Sequence, residues 1–164
     1  MAETAAPTGL EGADLTSMVD FPTPSRVHVS LNISDLWASL NFYRRLLDKN
    51  PTVAKEGYAK FEVEEPAINL TLNEFPHNIN TNGHFGIQVK TPEIVQELCR
   101  KFDEQGFKVT VEEDVQCCYA EQTKFWVADP DGYRWEVFAT VNEESEEGCP
   151  PDCICYADLE RTTA

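Results

Sequence analysis

HVSLNI at residues 28–33 and HFGIQV at residues 84–89 match position for position. In each, His, Ser or Gly, and Asn or Gln fall on one face of an extended strand, while Val or Phe, Leu or Ile, and Ile or Val fall on the other. That is the period-two alternation of a half-buried strand. Each run leads into a helical pattern. After the first, Ser34 or Asp35 offers an N-cap, and Leu36, Leu40, Tyr43 and Leu47 recur at helical spacing. After the second, Thr91 is the expected N-cap with Pro92 at the first helical position, and Ile94, Val95, Leu98 and Phe102 form the apolar stripe. Strand-like runs follow both helices, at 57–65 and 67–74, then at 107–113, 123–129 and 133–140. The expected fold is α+β, with two tandem β-α-β-β-β modules forming one curved, partly closed sheet around a metal site. The aliphatic face of each first strand packs under its helix, and the polar face, with His28 and His84, looks into the shared cup.

Around this body, residues 26–141, lie two segments of different character. Residues 1–25 are small, polar and Pro-containing, a mobile N-terminal arm; residues 142–164 form an acidic, Cys-rich tail. Lys and Arg number 13 against 29 Asp and Glu, a net charge of −16. A field of that sign repels phosphate backbones and anionic lipid, which argues against nucleic acid and membrane surfaces as partners. No apolar run nears the roughly 20 residues that span a bilayer. The first 25 residues have neither the basic start nor the apolar stretch of a signal peptide, so the expected location is cytoplasmic. Both modules lie in one chain, compatible with a monomer or a homodimer.

Two histidines at equivalent positions of two repeats would converge near the axis relating them. Glu136, in the apolar strand RWEVF, shares a face with Arg134 and Phe138, opposite Trp135 and Val137. A carboxylate there is costly unless it is paired with a cation or coordinates a metal. His28, His84 and Glu136 are therefore candidate metal ligands, the set expected for ferrous iron that activates dioxygen; zinc or manganese suits the same atoms. The matching strand INLTL has no acidic residue for a fourth position. His77, in a polar loop, reads as solvated.

In a reducing compartment six cysteines are metal ligands, reactive thiols or packing rather than a disulfide frame. Cys99 sits between apolar helix positions and reads as packing. Cys117 and Cys118 are adjacent, so in a regular strand they point to opposite faces and act together only in a loop or at a bulge. Chance, a strained vicinal disulfide, half of a soft-metal site and a thiophilic ligand are all readings of that pair. Cys149, Cys153 and Cys155 fall within seven tail residues, too compact for a four-ligand zinc module. They read either as part of a solvated tail or as thiols that capture a substrate.

The paired modules, His28 and His84 on the first strands, and DPDGYRWEVF at 129–138 together resemble the vicinal oxygen chelate superfamily (glyoxalase, bleomycin resistance, dioxygenase) over residues 26–140. Within it, SRVHVSLNISDLWASLNFYRRLL, GYAKFEVEEPAINLTLNE, NGHFGIQV and VQCCYAEQTKFWVADPDGYRWEVF look like the carbon–arsenic lyases of arsenic resistance and the cadmium-induced proteins grouped with them. The resemblance implies a ferrous dioxygenase-type lyase that cleaves trivalent methyl- or aryl-arsenicals to inorganic arsenite. Fe(2+) would be held by His28, His84 and Glu136, and the arsenic by Cys117 and Cys118, with dioxygen as co-substrate. A non-catalytic protein that binds cadmium or arsenite through its thiols is the alternative. A glyoxalase-type isomerase comes third, for want of a second glutamate.

Overall fold

The computed structural model describes residues 21–23, 25–117, 120–142, 159 and 161. The elements run β1 (Val27–Ile33), α1 (Leu36–Leu46), β2 (Val53–Lys55), β3 (Tyr58–Val63), β4 (Ile68–Glu74), then β5 (Phe85–Gln88), α2 (Pro92–Glu104), β6 (Thr110–Cys117), β7 (Ala120–Ala128) and β8 (Arg134–Asn142). This is the β-α-β-β-β order twice over. Strand β2 has no counterpart among the expected runs. It is three residues long and mostly exposed, too short to show an alternation.

Both helices start where their caps predict. The Asp35 side chain accepts from the Ala38 amide at 2.7 Å, and Thr91 caps α2 with Pro92 in its first turn. The buried side of α1 is broader than the expected stripe and includes Ser39, Phe42 and Leu46 beside Tyr43. On α2, Val95 and Phe102 are buried, whereas Ile94 is exposed, off the stripe assigned to it.

Where one curved sheet was expected there are two four-stranded sheets, ordered β1-β4-β3-β2 and β5-β8-β7-β6, not closed into a barrel. In each module the first strand pairs in parallel with the last, β1 with β4 and β5 with β8. Each first strand is thus an edge of its own sheet, and among the described residues no ladder joins β1 to β5.

A shared core and the DPDG turn unite the modules instead. Leu31, Ile33, Phe42 and Tyr43 from the first module pack in one cluster with Phe102, Phe107, Trp135 and Val137 from the second. The Asp129 carboxylate is fully buried. It accepts from the Tyr43 hydroxyl at 2.9 Å and from the amides of Asp131 and Tyr133 at 3.0 and 2.8 Å. Asp131 in turn accepts from the Ser34 amide at 2.9 Å, and the Tyr133 hydroxyl donates to the Asn32 carbonyl at 3.0 Å. Burial pushes the Asp129 carboxyl up to about 6, although the Tyr43 hydrogen bond works in the opposite sense.

Candidate metal centre

The site is built on β8 and the strands beside it. Glu136 sits opposite Gly86 of β5 on one side and opposite Trp126 of β7 on the other. It is largely buried, and its two oxygens are engaged differently: Oε1 lies 3.4 Å from His84 Nε2, and Oε2 lies 3.1 Å from Lys124 Nζ. The Trp126 indole meets the His84 ring edge-on at 5.0 Å, and Lys124 Nζ stands 5.4 Å from the Trp126 ring centre. Trp126 Nε1 donates to Glu112 Oε2 at 2.8 Å, which holds the indole in place. Gly86 makes room for all this. A Cβ there would come within 3.1 Å of Glu136 Oε1 and 3.2 Å of both Glu136 Cγ and Phe138 Cε1.

His84 and Glu136 fit a shared cation. Two donors each about 2.1 Å from one first-row divalent ion, at angles between octahedral and tetrahedral, stand about 3.0–3.4 Å apart. The observed 3.4 Å matches that spacing. Lys124 complicates the picture. Its amine is almost fully buried, so the salt bridge weighed above as the alternative to coordination is present. The two roles use different oxygens of one carboxylate.

His28 is exposed on β1 and bonded elsewhere. Its Nδ1 is 3.0 Å from the Asn69 carbonyl oxygen and 3.3 Å from Asn69 Oδ1. The partners are oxygens, so Nδ1 is the donor, and in a neutral ring that leaves Nε2 as the nitrogen able to bind a metal. Among the described residues, however, no three His, Cys, Asp or Glu side chains come together as a ligand set. His84 and Glu136 are side by side; His28 is not grouped with them.

Cys117 ends β6 opposite Ala120, while its side chain and Cys118 lie outside the described residues, as do Cys149, Cys153 and Cys155. The ladder leading to Cys117 contains an irregularity, which lies between Glu112 and Val115 and not at the pair itself. From Glu112↔Lys124 to Val115↔Gln122, β6 advances three residues while β7 advances two. That bulge puts positions 115 and 117 in phase with 112. Ala120 is six residues along β7 from Trp126, the partner of Glu136, so position 117 lies about 20 Å along the strand from the His84–Glu136 pair. Cys99 packs against the core, with burial raising its thiol pKa, and His77 is exposed.

Residues 25–137 match the Glyoxalase/Bleomycin resistance protein/Dioxygenase superfamily. The chain belongs to that superfamily. It is 41% identical over 131 residues to a trivalent organoarsenical cleaving enzyme of Bacillus sp. (strain MD1), covering 78% of this chain and 81% of the relative. Against the cadmium-induced protein CadI of Mycobacterium tuberculosis it is 36% identical over 127 residues, 77% of this chain and 84% of the relative. A glyoxalase/bleomycin resistance protein/dioxygenase from Nocardioides superposes with a TM-score of 0.59 at 19% identity, covering 79% of this chain and 92% of that one, a likeness of fold. No helix among the described residues is long and apolar enough to cross a membrane.

Lys124, Trp126, Glu112 and Gly86 are missing from the sequence-based site. One signal was available. In TKFWVAD, strict alternation sets Lys124 and Trp126 on one face of a strand flanked by apolar residues, and a lysine there needs a partner.

Proposed function

We propose that the chain is an Fe(II)-dependent dioxygenase-type carbon–arsenic lyase that cleaves trivalent methyl- or aryl-arsenicals to inorganic arsenite. The observation that carries this reading is the His84–Glu136 pair at 3.4 Å in a chain 41% identical to a trivalent organoarsenical cleaving enzyme. His84 and Glu136 would hold the iron, with His28 as third ligand through Nε2. Bound ferrous iron supplies a redox centre with positions open to dioxygen. Lys124 keeps the second oxygen of Glu136 occupied, so the carboxylate offers the metal a single oxygen. The Trp126 indole, fully buried and fixed by Glu112, walls the His84 ring and limits access of water on that side. Cys117 and Cys118 would bind the arsenic as thiolates, since trivalent arsenic prefers soft sulfur to the harder His and Glu donors.

One observation favours the second reading, a thiol-binding protein that sequesters cadmium or arsenite. Position 117 is about 20 Å along β7 from the His84–Glu136 pair, and a sequestering protein needs no proximity between its thiols and that pair. The isomerase reading is weakened further. The register equivalent of Glu136 in the first module, opposite Ser30 as Glu136 is opposite Gly86, is Thr71.

Anaerobic ferrous titration, followed by oxygen and methylarsenite with arsenite release measured, separates the two main readings. The lyase binds one ferrous ion per chain and releases arsenite. His84→Ala loses the iron, and His77→Ala retains it. Iron-loaded protein that releases arsenite from neither methyl nor aryl substrates is a sequestering protein.

A further inference from the structure

A histidine that gives Nε2 to a metal is ordinarily fixed by a hydrogen bond at Nδ1. Without one, the broad torsion about its last side-chain bond leaves the ring free to turn. Among the described residues, Nδ1 of His84 has no such partner. The side chain directly precedes the edge strand β5 and is 30% exposed, so packing closes around only part of it. Something else has to hold the ring.

Trp126 meets it edge-on at 5.0 Å. Strand β8 lies between β5 and β7, so the indole leans over its own ladder partner, Glu136, to reach His84. The same indole stands 5.4 Å from Lys124 Nζ, which pairs with Glu136, and so borders both members of the candidate pair. A buried indole N–H without an acceptor is costly, and Glu112 supplies the acceptor. On β6 the direct partner of Trp126 is Thr110; Glu112 lies two residues further along, on the diagonal that a long side chain covers. Its Oε2 accepts from Trp126 Nε1 at 2.8 Å, a charge-assisted bond and so stronger than one to a neutral acceptor. Glu112 is also the last paired residue of β6 before the bulge, so the ladder sets its backbone.

We infer that Glu112 is a positioning residue for the candidate metal centre. Through the Trp126 indole it fixes the His84 ring with Nε2 turned toward Glu136, in place of a hydrogen bond at Nδ1. The inference rests on the proposed function for the metal alone; the orientation of the ring belongs to the metal-free chain.

The test uses the full chain and two readouts. In the metal-free protein the proton resonances of the His84 ring, assigned by their loss in His84→Ala, should be displaced by the indole ring current from those of exposed His77. Glu112→Leu should move them toward the His77 positions. Glu112→Gln, which still accepts from Nε1, should leave them near wild type. Cobaltous ion, followed by its visible absorption, should bind on the order of tenfold more weakly to Glu112→Leu, the scale on which outer-shell substitutions weaken metal sites. Glu112→Gln should keep most of the affinity, and in a Trp126→Phe background, with no N–H to anchor, Glu112→Leu should change neither readout. Unmoved His84 resonances in folded Glu112→Leu overturn the inference. So does an equal loss of cobalt affinity in Glu112→Gln and Glu112→Leu, which would assign the effect to charge alone. If the wild type binds no cobalt, or His84→Ala binds it equally well, the metal reading fails, and the resonances by themselves decide whether Glu112 orients the ring.

Discussion

Asp129 should make this protein less stable as pH rises from 5 to 7.5, and replacing it with asparagine should remove that loss. The carboxyl is displaced from 3.8 to about 6 by burial. Between those values the folded chain keeps a proton that the unfolded chain has released. The native state binds more protons, so stability falls with rising pH. For that displacement the loss amounts to about 1.4 kcal/mol between pH 5.0 and 7.5, of about 3 kcal/mol in all. Asp129→Asn keeps an oxygen to accept from the Asp131 and Tyr133 amides. Its new amide donates to Tyr43, whose hydroxyl turns to accept. Urea denaturation followed by the fluorescence of buried Trp126 and Trp135, at both pH values, measures the effect. The variant should gain about 1.4 kcal/mol on the wild type between pH 5.0 and 7.5, whatever other groups titrate in common. Parallel pH dependence in the two proteins refutes the assignment of a buried, proton-retaining carboxyl to this turn.

Three further outcomes follow from the site. Gly86→Ala should weaken ferrous binding by on the order of tenfold, because the added methyl group displaces the Glu136 carboxylate, and small misplacements are costly; unaltered iron affinity would remove Gly86 from the site. Lys124→Met should cost about 3–5 kcal/mol by taking the buried cation from Glu136 Oε2, and a Lys124→Met, Glu136→Gln double variant should recover much of it; additive losses in the denaturation cycle would show that the two do not act as a pair. Cys117→Ser or Cys118→Ser should leave iron bound and reduce arsenite release about 100-fold, since a hydroxyl is a poor ligand for arsenic and a freed carbon misaligns. Wild-type release from both variants would sink the anchor role.

What could be read in the sequence followed from chemistry local to each strand. The duplicated first strands placed Leu31, Ile33, Phe85 and Ile87 on the core side, and the structure puts them there. RWEVF alternates as expected, with Trp135 and Val137 in the core and Glu136 on the other face beside His84. Relations between strands were not legible. Pairing of Lys124 with Glu136 depends on a diagonal across the β7–β8 register, which no single strand encodes. Similarly, the phase of position 117 depends on a bulge between Glu112 and Val115, in a run of acidic residues without a glycine or proline to mark it. Symmetry of the repeats suggested that His28 would meet His84. The two first strands are edges of separate sheets, with no ladder between them among the described residues, so their relative placement depends on contacts such as Tyr43 with Asp129, made by side chains that carry no ligand role.

That last contact also sets a clock. Tyr43 and Asp129 are 86 residues apart in the chain. At about 5–20 residues per second, a ribosome delivers Asp129 some 4–17 s after Tyr43. Throughout that interval Phe42, Tyr43 and Leu31 lack Tyr133, Trp135 and Val137 of their eventual core. The first module therefore waits, sticky and unfinished, for the second, and its yield in the cell depends on what shields α1 until the DPDG turn arrives.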